Sequence, residues 1–290
     1  MRVLIVGCGY VGLPLGKELA RQGHAVFGLR RSVLADAELQ AAGITPLHAD
    51  ITRPETLARL PRDFDWVVSC VAAGGGAANY RRVYLDGTRN LLDWLAGMPP
   101  EKFVHIGSTS VYAQFDGSVV TEASPADPVA ETSKILRQTE KVLLAAARGK
   151  FPAVILRVAG IYGPGRGHWV KQFLRGEARI EGDGSRWLNM IHRDDVVGCI
   201  IAALNNGRAG EIYNASDDEP MSQLNFFAWL AETLGKPLPP SVPETPDERK
   251  RGVMAKRVSN AKLRTELKYQ FRFPDFRAGY KALFVEAAKR

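Results

Sequence analysis

Short apolar runs alternate with longer stretches of helical periodicity over the first 160 residues. Six runs are rich in β-branched residues and have the length of buried strands: 3–6, 25–29, 44–47, 66–71, 103–106 and 154–158. The stretches between them place apolar residues three and four positions apart, which predicts helices over 11–22, 35–42, 54–60, 80–95 and 132–147. Strands that are apolar on both faces and alternate with helices predict a parallel sheet covered on both sides. We therefore expect an α/β protein with a doubly wound, Rossmann-like parallel sheet.

This regular alternation ends after Gly160. The later part of the chain is rich in glycine and proline, and five prolines between 237 and 246 predict a stiff, exposed connection before two short helical patterns. The elements predicted before those prolines are a helix over 169–175, a loop over 182–185, a helix over 195–204 and a strand over 211–214. The change in pattern predicts a main domain over 1–160 and a smaller C-terminal lobe over most of 161–290, with some segments returning to the main sheet.

Composition places the chain among ordinary globular proteins, with 46% hydrophobic and 24% charged residues. The net charge is +8, and residues 241–290 supply most of it with 13 basic and 6 acidic side chains. A basic tail can attract an anionic ligand, a polyanion or a membrane surface, but charges dispersed among apolar residues favour a solvated surface. No apolar run approaches the roughly 18 residues of a membrane span, and no nucleic-acid-binding module is recognisable. We expect neither kind of partner.

Cysteine and histidine usage bears on location and on metal binding. Cys8, Cys70 and Cys199 are far apart, form no C-x-x-C pair and leave an odd count. A disulfide framework would need pairs, so these thiols favour a reducing cytoplasm. The five histidines are scattered without the spacing of metal ligands, and we therefore predict no metal site.

A glycine pattern directly follows the first predicted strand and opens the first predicted helix. Its residues, which match G-x-G-x-x-G, are Gly7, Cys8, Gly9, Tyr10, Val11 and Gly12. Glycines at these positions allow a tight turn and let the backbone approach a diphosphate closely. The N-terminus of the helix then supplies unpaired N–H groups and the positive end of its dipole. The pattern in this context predicts that the chain binds a dinucleotide at residues 7–12, within its main domain.

The end of the second predicted strand bears on which dinucleotide is bound. About 20 residues after such a glycine pattern, an NAD-selective protein usually offers an Asp or Glu to the ribose 2′-hydroxyl. This chain has Arg30, Arg31 and Ser32 there. Because arginine can bind a 2′-phosphate through two parallel hydrogen bonds, we expect NADP to be preferred over NAD. The alternative is that both arginines are solvated surface residues.

Two further strand ends are candidates for the rest of the dinucleotide. Asp50 and Ile51 follow the third strand and are predicted to flank the adenine. Val71, Ala72 and Ala73 follow the fourth strand and are small enough to leave room for a ribose. Small residues also pack in cores, so these positions depend on the glycine pattern for their interpretation.

Five segments in a fixed order carry a family signature. They are His-Ile-Gly-Ser-Thr-Ser-Val-Tyr at 105–112, Ser-Lys at 133–134, Leu-Arg-Val-Ala-Gly-Ile-Tyr-Gly-Pro-Gly at 156–165, Asn-Met-Ile-His-Arg-Asp-Asp-Val at 189–196 and Gly-Glu-Ile-Tyr-Asn at 210–214. Along nearly its whole length the chain thus resembles the extended short-chain dehydrogenase/reductase superfamily, in particular the NAD-dependent epimerase/dehydratase group. The opening residues are also similar to nucleotide-sugar dehydrogenases of the UDP-glucose dehydrogenase type, but that likeness ends soon after the first helix.

The resemblance implies an active site built from a serine, a tyrosine and a lysine. In the superfamily the serine binds the reacting oxygen, the lysine lowers the tyrosine pKa and holds the nicotinamide ribose, and the tyrosine moves a proton. Ser108 and Lys134 match the serine and the lysine. Ala130 stands four residues before Lys134, where the family's Y-x-x-x-K pattern has its tyrosine. Tyr84, which replaces the Asn of the family's N-x-x-G-T, and Tyr112 are the candidate replacement phenols.

Three functions remain open from the sequence. The first is a reductase or epimerase that uses a substitute phenol and acts on a nucleotide-sugar or another small carbonyl compound, as the resemblance implies. The second is a sensor or regulatory protein that binds the dinucleotide without hydride transfer. The third is a non-redox enzyme on the same scaffold. The lysine does not separate them, because it would hold the ribose in each case.

The segment after residue 160 lies where the superfamily covers its substrate. Arg166 is a candidate to bind a carboxylate or diphosphate, Trp187 to stack on the substrate and Asn189 to donate a hydrogen bond. Solvated surface side chains account for the same residues. The superfamily commonly dimerises through the helices that correspond to 80–95 and 132–147, so we expect a small-molecule substrate and a homodimer.

Overall fold

A computed structural model describes residues 1–243 and 255–288. The helices are α1 (Gly12–Arg21), α2 (Asp36–Ala41), α3 (Pro54–Leu57), α4 (Ala77–Tyr80), α5 (Gly87–Leu95), α6 (Glu131–Arg148), α7 (His168–Leu174), α8 (Arg193–Asn206), α9 (Gln223–Leu234), α10 (Ala261–Glu266) and α11 (Phe276–Ala288). The strands are β1 (Arg2–Val6), β2 (Ala25–Arg30), β3 (Ile44–His48), β4 (Trp66–Ser69), β5 (Lys102–Ser108), β6 (Val119–Val120), β7 (Ala153–Val158), β8 (Gly160–Tyr162), β9 (Ile180–Glu181), β10 (Trp187–Leu188), β11 (Met190–His192), β12 (Ile212–Ala215), β13 (Met221–Ser222), β14 (Ser241–Val242) and β15 (Arg257–Val258).

Seven parallel strands form the central sheet in the order β12-β7-β5-β4-β1-β2-β3. This order confirms the predicted doubly wound, Rossmann-like sheet. The chain builds outward in one direction from β1 to β3 and in the other from β4 to β12. The reversal falls between β1 and β4, and in open α/β sheets ligands bind at the carboxyl ends of the strands at such a point.

Helices cover both faces of the sheet, as the apolar runs predict. The first strand is buried at four of its five positions and β7 at all six. Leu15 of α1 and Ile200 of α8 pack on one face, and Leu91 of α5 and Leu143 of α6 pack on the other. Each such side chain contributes about 1.5–3 kcal/mol when fully buried. The central sheet therefore forms a rigid base for the loops at its carboxyl edge.

The predicted helix over 80–95 differs from the helix observed. It begins at Ala77, and a π-helical segment, Arg81–Asp86, separates α4 from α5. A π-helical turn uses i to i+5 hydrogen bonds and is frequent at functional sites. The period of apolar residues does not distinguish such a turn from an α-helix, which is why the sequence predicts one continuous helix.

A buried ion pair joins α6 to β7. Arg157 donates from Nε and Nη2 to the two carboxylate oxygens of Glu140, each over 2.8 Å, and both side chains are 1% exposed. Arg157 Nη1 also donates to the Tyr112 hydroxyl over 2.7 Å, and that hydroxyl donates to Asn214 Oδ1 over 2.8 Å. This network connects two strands of the sheet with α6 and with the segment after β5.

A separate aromatic core lies in the C-terminal part of the chain. Phe226 and Phe227 of α9 pack with Phe276 and Tyr280 of α11 and with Tyr162 of β8. Between these elements the chain returns to the central sheet, where β12 pairs with β7. The domain boundary at residue 160 stays a prediction.

Candidate active site

The carboxyl ends of the central strands border a cleft of about 910 Å³. It brings together the glycine turn after β1, the ends of β2 to β5 and residues of the C-terminal part. The predicted site residues that line it are Gly7, Cys8, Gly9, Tyr10, Val11, Arg30, Arg31, Ser32, Asp50, Ile51, Val71, Ala72, Tyr84, Ser108, Arg166, Trp187 and Asn189. Of the predicted site residues, all of which the structure describes, four lie outside this lining: Gly12, Ala73, Tyr112 and Lys134.

The turn after β1 has the shape that an approaching diphosphate requires. Gly7 has a φ of +89°, and a Cβ there would lie 2.9 Å from the carbonyl of Cys70. A Cβ on Gly12 would lie 2.5 Å from the Gly7 carbonyl oxygen, so backbone packing excludes a side chain at both positions. Gly9 differs, because a Cβ there would meet no atom within 4 Å. The open side of Gly9 and the amides at the start of α1 offer the space and the donors for a diphosphate.

The side chain of Cys8 lies beneath this turn. It is fully buried, and burial raises the pKa of the thiol to about 12. Because the thiolate is the reactive form of cysteine, this thiol is inert at physiological pH. Cys8 therefore contributes its backbone, and not its thiol, to the site.

Two arginines line the cleft at the end of β2. Arg30 Nη1 lies 3.9 Å from Glu38 Oε2, an ion pair at the limit of contact, and Arg31 is exposed. Ser32 accepts a hydrogen bond at Oγ from the Leu34 amide over 3.2 Å and so fixes the turn. Asp50 lies opposite, after β3; burial acts to raise the pKa of its carboxyl, but hydrogen bonds from Thr52 lower it overall. This end of the cleft thus carries two cations and one ionised carboxylate.

Two predicted residues that carry hydroxyl groups, Ser108 and Tyr84, line the same cleft. Ser108 ends β5, and its Oγ accepts a hydrogen bond from the Ser110 amide over 3.2 Å. Tyr84 lies in the π-helical segment with its ring centroid 5.1 Å from that of Tyr80. Its hydroxyl accepts a hydrogen bond from the Ala73 amide over 3.4 Å. Ser108 and Tyr84 therefore both line the cleft that the glycine turn borders.

The position of Tyr112 corrects the expectation that it supplies the phenol. Its side chain is fully buried, and its hydroxyl is occupied by Arg157 and Asn214. Burial raises the pKa of this phenol, although Arg157 acts to lower it. Tyr112 is a structural residue of the core, and of the two candidate phenols only Tyr84 lines the cleft.

The position of Lys134 also corrects the sequence prediction. Its side chain is 50% exposed, and Nζ lies 3.7 Å from Glu131 Oε2 at the start of α6. The residues of this helix that line the cleft are instead Thr132, Ser133 and Leu136. Lys134 is therefore not among the residues that line the cleft in this structure.

The side of α6 that lines the cleft is not the side that carries Lys134. In the pattern Y-x-x-x-K, two residues four positions apart lie on one face of a helix. The pair on that face here is Thr132 and Leu136, and Glu140 continues it into the buried ion pair. Thr132 and Leu136, and not Ala130 and Lys134, are therefore the residues four positions apart that line the cleft.

The three candidate substrate residues differ in the groups that they contact. The Arg166 guanidinium carbon lies 5.2 Å from the centroid of the Tyr10 ring, next to the glycine turn. Trp187 is half-buried, and Arg257 lies over its ring at 5.1 Å. Asn189 is engaged with the backbone: it donates to the Lys256 carbonyl oxygen over 2.9 Å and accepts from the Val258 amide over 2.7 Å. Asn189 thus holds β15 in place, and its role as a substrate ligand stays a prediction.

Sequence reasoning missed Lys256. This lysine is 3% exposed and lines the cleft, and its Nζ donates to the Tyr112 carbonyl oxygen over 3.1 Å. Burial lowers the pKa of its ammonium to about 8, and the nearby charge of Arg186 acts in the same direction. The residue lies beyond the proline-rich connection and belongs to no motif, so the sequence contains no signal for it.

The fold and this cleft define a dinucleotide-binding α/β protein. The model of the NAD dependent epimerase/dehydratase family matches residues 3–216. The chain belongs to that family.

Similarity to known proteins extends over nearly the full chain. Protein YeeZ of Escherichia coli K12 is 28% identical over 94% of this chain and 97% of its own. A 3-diazoavenalumate denitrifying reductase of a Streptomyces species is 27% identical over 96% of this chain and 99% of its own. A conserved protein of unknown function from Silicibacter pomeroyi has a solved structure that superposes with a TM-score of 0.81, at 27% identity and 98% coverage of both chains.

Proposed function

We propose that this chain is an NADPH-dependent reductase of a small carbonyl compound, such as a nucleotide-sugar. The observation that carries the proposal is the placement of Ser108 and Tyr84 in the cleft that also holds the glycine turn. Similarity along nearly the whole chain to a protein named as a denitrifying reductase supports reduction in general.

When bound, the reduced dinucleotide supplies a hydride to the carbonyl carbon. The glycine turn and the amides that open α1 hold the diphosphate, and they orient the dinucleotide along the edge of the sheet. The Ser108 hydroxyl donates a hydrogen bond to the carbonyl oxygen and so stabilises the negative charge that develops there. Tyr84 holds the proton at its hydroxyl and gives it to that oxygen as the alcohol forms.

The absence of the lysine from the cleft-facing side of α6 favours reduction over epimerisation. Epimerisation and alcohol oxidation begin with removal of a hydroxyl proton and need a base, whereas carbonyl reduction needs an acid. A tyrosine phenol is protonated at neutral pH unless a neighbouring cation lowers its pKa. Leu136, on the side of α6 that lines the cleft, supplies no such cation, so a phenol here is suited to donate a proton.

A coupled assay tests the reaction and the role of Tyr84. NADPH consumption is followed by absorbance with a panel of nucleotide-sugars and small ketones. We expect Tyr84→Phe to lower kcat about a hundredfold, the range of general acid catalysis, with NADPH affinity retained. Tyr112→Phe is the matched control for phenols and leaves kcat unchanged if the variant folds. Unchanged turnover in Tyr84→Phe would exclude Tyr84 as the acid.

Arg30 and Arg31 support the choice of NADP over NAD. Both line the cleft at the end of β2, where a ribose 2′-phosphate lies in this fold class. We expect Arg30→Asp to lower the ratio of NADPH to NADH affinity about tenfold, because a hydrogen bond to a charged group contributes about 1.5 kcal/mol. Arg59→Asp, an equal charge change at an exposed position outside the cleft, is the control. Equal affinity of the unaltered chain for NADPH and NADH would contradict the preference.

A dinucleotide-binding sensor is the second candidate function. The observation that favours it is the pair Thr132 and Leu136, which places neither a phenol nor an amine on the cleft-facing side of α6. In the coupled assay, a sensor binds NADPH with normal affinity and oxidises none of it with any carbonyl compound. A reductase consumes NADPH with at least one.

Assembly and location stay predictions from the sequence. We propose a homodimer through the helical region 77–95 and α6, and a cytoplasmic location based on the three free thiols Cys8, Cys70 and Cys199. Within the two described ranges, the structure has no helix that is both long and apolar enough to cross a bilayer.

A further inference from the structure

The ring of Tyr10 connects the glycine turn with the C-terminal part of the chain. The guanidinium carbon of Arg166 lies 5.2 Å from the centroid of this ring, and that of Arg193 lies 5.4 Å from it. Arg166 follows β8, and Arg193 is the first residue of α8. The face of an aromatic ring attracts a guanidinium group within about 6 Å of its centroid. Two cations from separate segments therefore contact one ring of the proposed dinucleotide site.

The hydroxyl of Tyr10 is enclosed by the same segments. It is buried and has no hydrogen-bond partner in the described part of the chain. A Cβ on Gly163 would lie 2.9 Å from this hydroxyl and 3.1 Å from Arg193 Cβ, so the absence of a side chain at Gly163 leaves room for the phenol. Burial raises the pKa of Tyr10, whereas the charges of Arg193 and Arg166 act to lower it. Because an unpartnered buried hydroxyl does not stabilise a fold, the contribution of this side chain comes from its ring.

The segment that contacts the ring is a turn of fixed shape over residues 163–166. Gly163 and Arg166 exchange two backbone hydrogen bonds, each over 2.9 Å. The Lys171 ammonium of α7 donates to the Gly165 carbonyl oxygen over 2.8 Å. The 163–166 turn is therefore held as one unit and is joined to α7.

The aromatic core of the C-terminal part adjoins this turn. Tyr280 of α11 stacks on Tyr162 of β8, with ring centroids 4.5 Å apart, and both residues line the cleft. A Cβ on Gly167 would lie 3.4 Å from the Tyr280 hydroxyl. Burial raises the pKa of Tyr280, and the nearby phenol of Tyr10 acts in the same direction. Tyr10 thus lies between the glycine turn and a wall of the cleft that the C-terminal part supplies.

We propose that Tyr10 is a positioning residue that couples dinucleotide binding to the 163–166 turn through its contacts with Arg166 and Arg193. This inference rests on the proposed function, since it assigns the glycine turn to NADP. A diphosphate against the amides of the glycine turn restrains the backbone at Tyr10, and a restrained ring holds the two guanidinium groups with less loss of conformational freedom. Because coupling between two sites is reciprocal, an ordered 163–166 turn in the same way strengthens dinucleotide binding.

A double-mutant cycle measures this coupling by fluorescence titration with NADPH. We expect Tyr10→Leu and Arg166→Met each to weaken NADPH binding about threefold, the order of one exposed cation–π contact. In the variant that carries both substitutions, we expect the loss of Tyr10→Leu alone and no more, because Arg166 acts on the dinucleotide through the ring.

Three variants serve as controls. Tyr10→Phe keeps the ring and removes only the unpartnered hydroxyl, so it should restore the coupling that Tyr10→Leu loses. Phe115→Leu removes a ring and Arg175→Met removes a guanidinium group, each at an exposed position outside the cleft lining, and both should leave NADPH affinity unchanged. Circular dichroism establishes that each variant is folded. Arg166 is exposed, so Arg166→Met tests the coupling even if Tyr10→Leu does not fold.

Hydrogen exchange gives a measurement that a purely structural role of Tyr10 would not change. We expect saturation with NADP⁺ to slow exchange of the amides of residues 160–167 about threefold in the unaltered chain and in Tyr10→Phe. In Tyr10→Leu saturated with NADP⁺, we expect the slowing over 160–167 to be lost while that over 7–12 is retained. A ring that only stabilised the fold would change exchange over 160–167 equally with and without NADP⁺.

Three results would overturn the proposal. They are unchanged NADPH affinity in both single variants, a loss in the double variant equal to the product of the two single losses, and equal slowing over 160–167 in Tyr10→Leu and the unaltered chain. The second result would place Arg166 directly on the dinucleotide. In all three cases NADP⁺ still binds and the proposed reductase stands. If the unaltered chain does not bind NADP⁺, the proposed function fails and the coupling fails with it.

Discussion

Replacing Gly9 with valine is expected to abolish dinucleotide binding while the chain stays folded. A side chain at this position meets no protein atom within 4 Å and projects into the space left for the diphosphate. A diphosphate held away from the turn loses its hydrogen bonds to the backbone amides there. Loss of three charge-assisted hydrogen bonds at about 1.5 kcal/mol each corresponds to about a thousandfold in affinity. Titration with NADPH, followed by fluorescence of the nicotinamide, measures the change.

Two variants make the Gly9 result specific. Gly97→Val adds the same side chain after α5, where a Cβ lies in ordinary contact 3.7 Å from Arg62 Nη1, and it should bind NADPH normally. Gly7→Ala should instead destabilise the fold, because its Cβ would overlap the backbone at Cys70 and Val71. If Gly9→Val bound NADPH as well as the unaltered chain, the diphosphate would not lie against this turn.

Replacing Arg157 with methionine is expected to destabilise the protein by about 3 kcal/mol, the lower end of the usual cost of breaking a buried ion pair, because Arg137 Nη1 still lies 2.9 Å from Glu140 Oε2. Glu140 is 1% exposed and accepts two hydrogen bonds from Arg157. The substitution would also remove a hydrogen bond to the buried hydroxyl of Tyr112. Urea denaturation monitored by circular dichroism measures the free energy of unfolding.

An exposed pair and a double substitution are the controls for Arg157. Arg21→Met breaks the exposed contact with Glu18 and should leave the free energy of unfolding nearly unchanged. Arg157→Met combined with Glu140→Leu removes both buried charges and should recover a large part of the lost stability. A loss below about 1 kcal/mol in Arg157→Met would show that the pair is not a buried, coupled contact.

The fold could be predicted from the sequence because its main signals are local. The runs that became β1 and β7 are apolar on both faces, which only a sheet covered by helices can bury. The glycine turn was predictable for a similar reason, since G-x-G-x-x-G between a strand and a helix has few other uses. The π-helical segment Arg81–Asp86 was not, because it changes the hydrogen-bond pattern without changing the composition.

The part of the site that is proposed to carry the reaction could not be predicted in the same way. The dipeptide Ser133-Lys134 matches the family in letters, but the face that a helix turns toward a cleft depends on its packing. The signal that would have helped was Glu140: residues four and eight positions before it are Leu136 and Thr132, which share its side of α6. Tyr112 and Lys256 depend on contacts with residues 45 to 144 positions away, which no local pattern reports.

A crystal structure of the chain grown with excess NADP⁺ would locate the dinucleotide. We expect the two phosphorus atoms to lie against the amides of Gly9 and of the first turn of α1, with the 2′-phosphate at Arg30 and Arg31 and the nicotinamide near Ser108. A coenzyme bound elsewhere, or a glycine turn closed by side chains in the presence of saturating NADP⁺, would contradict it.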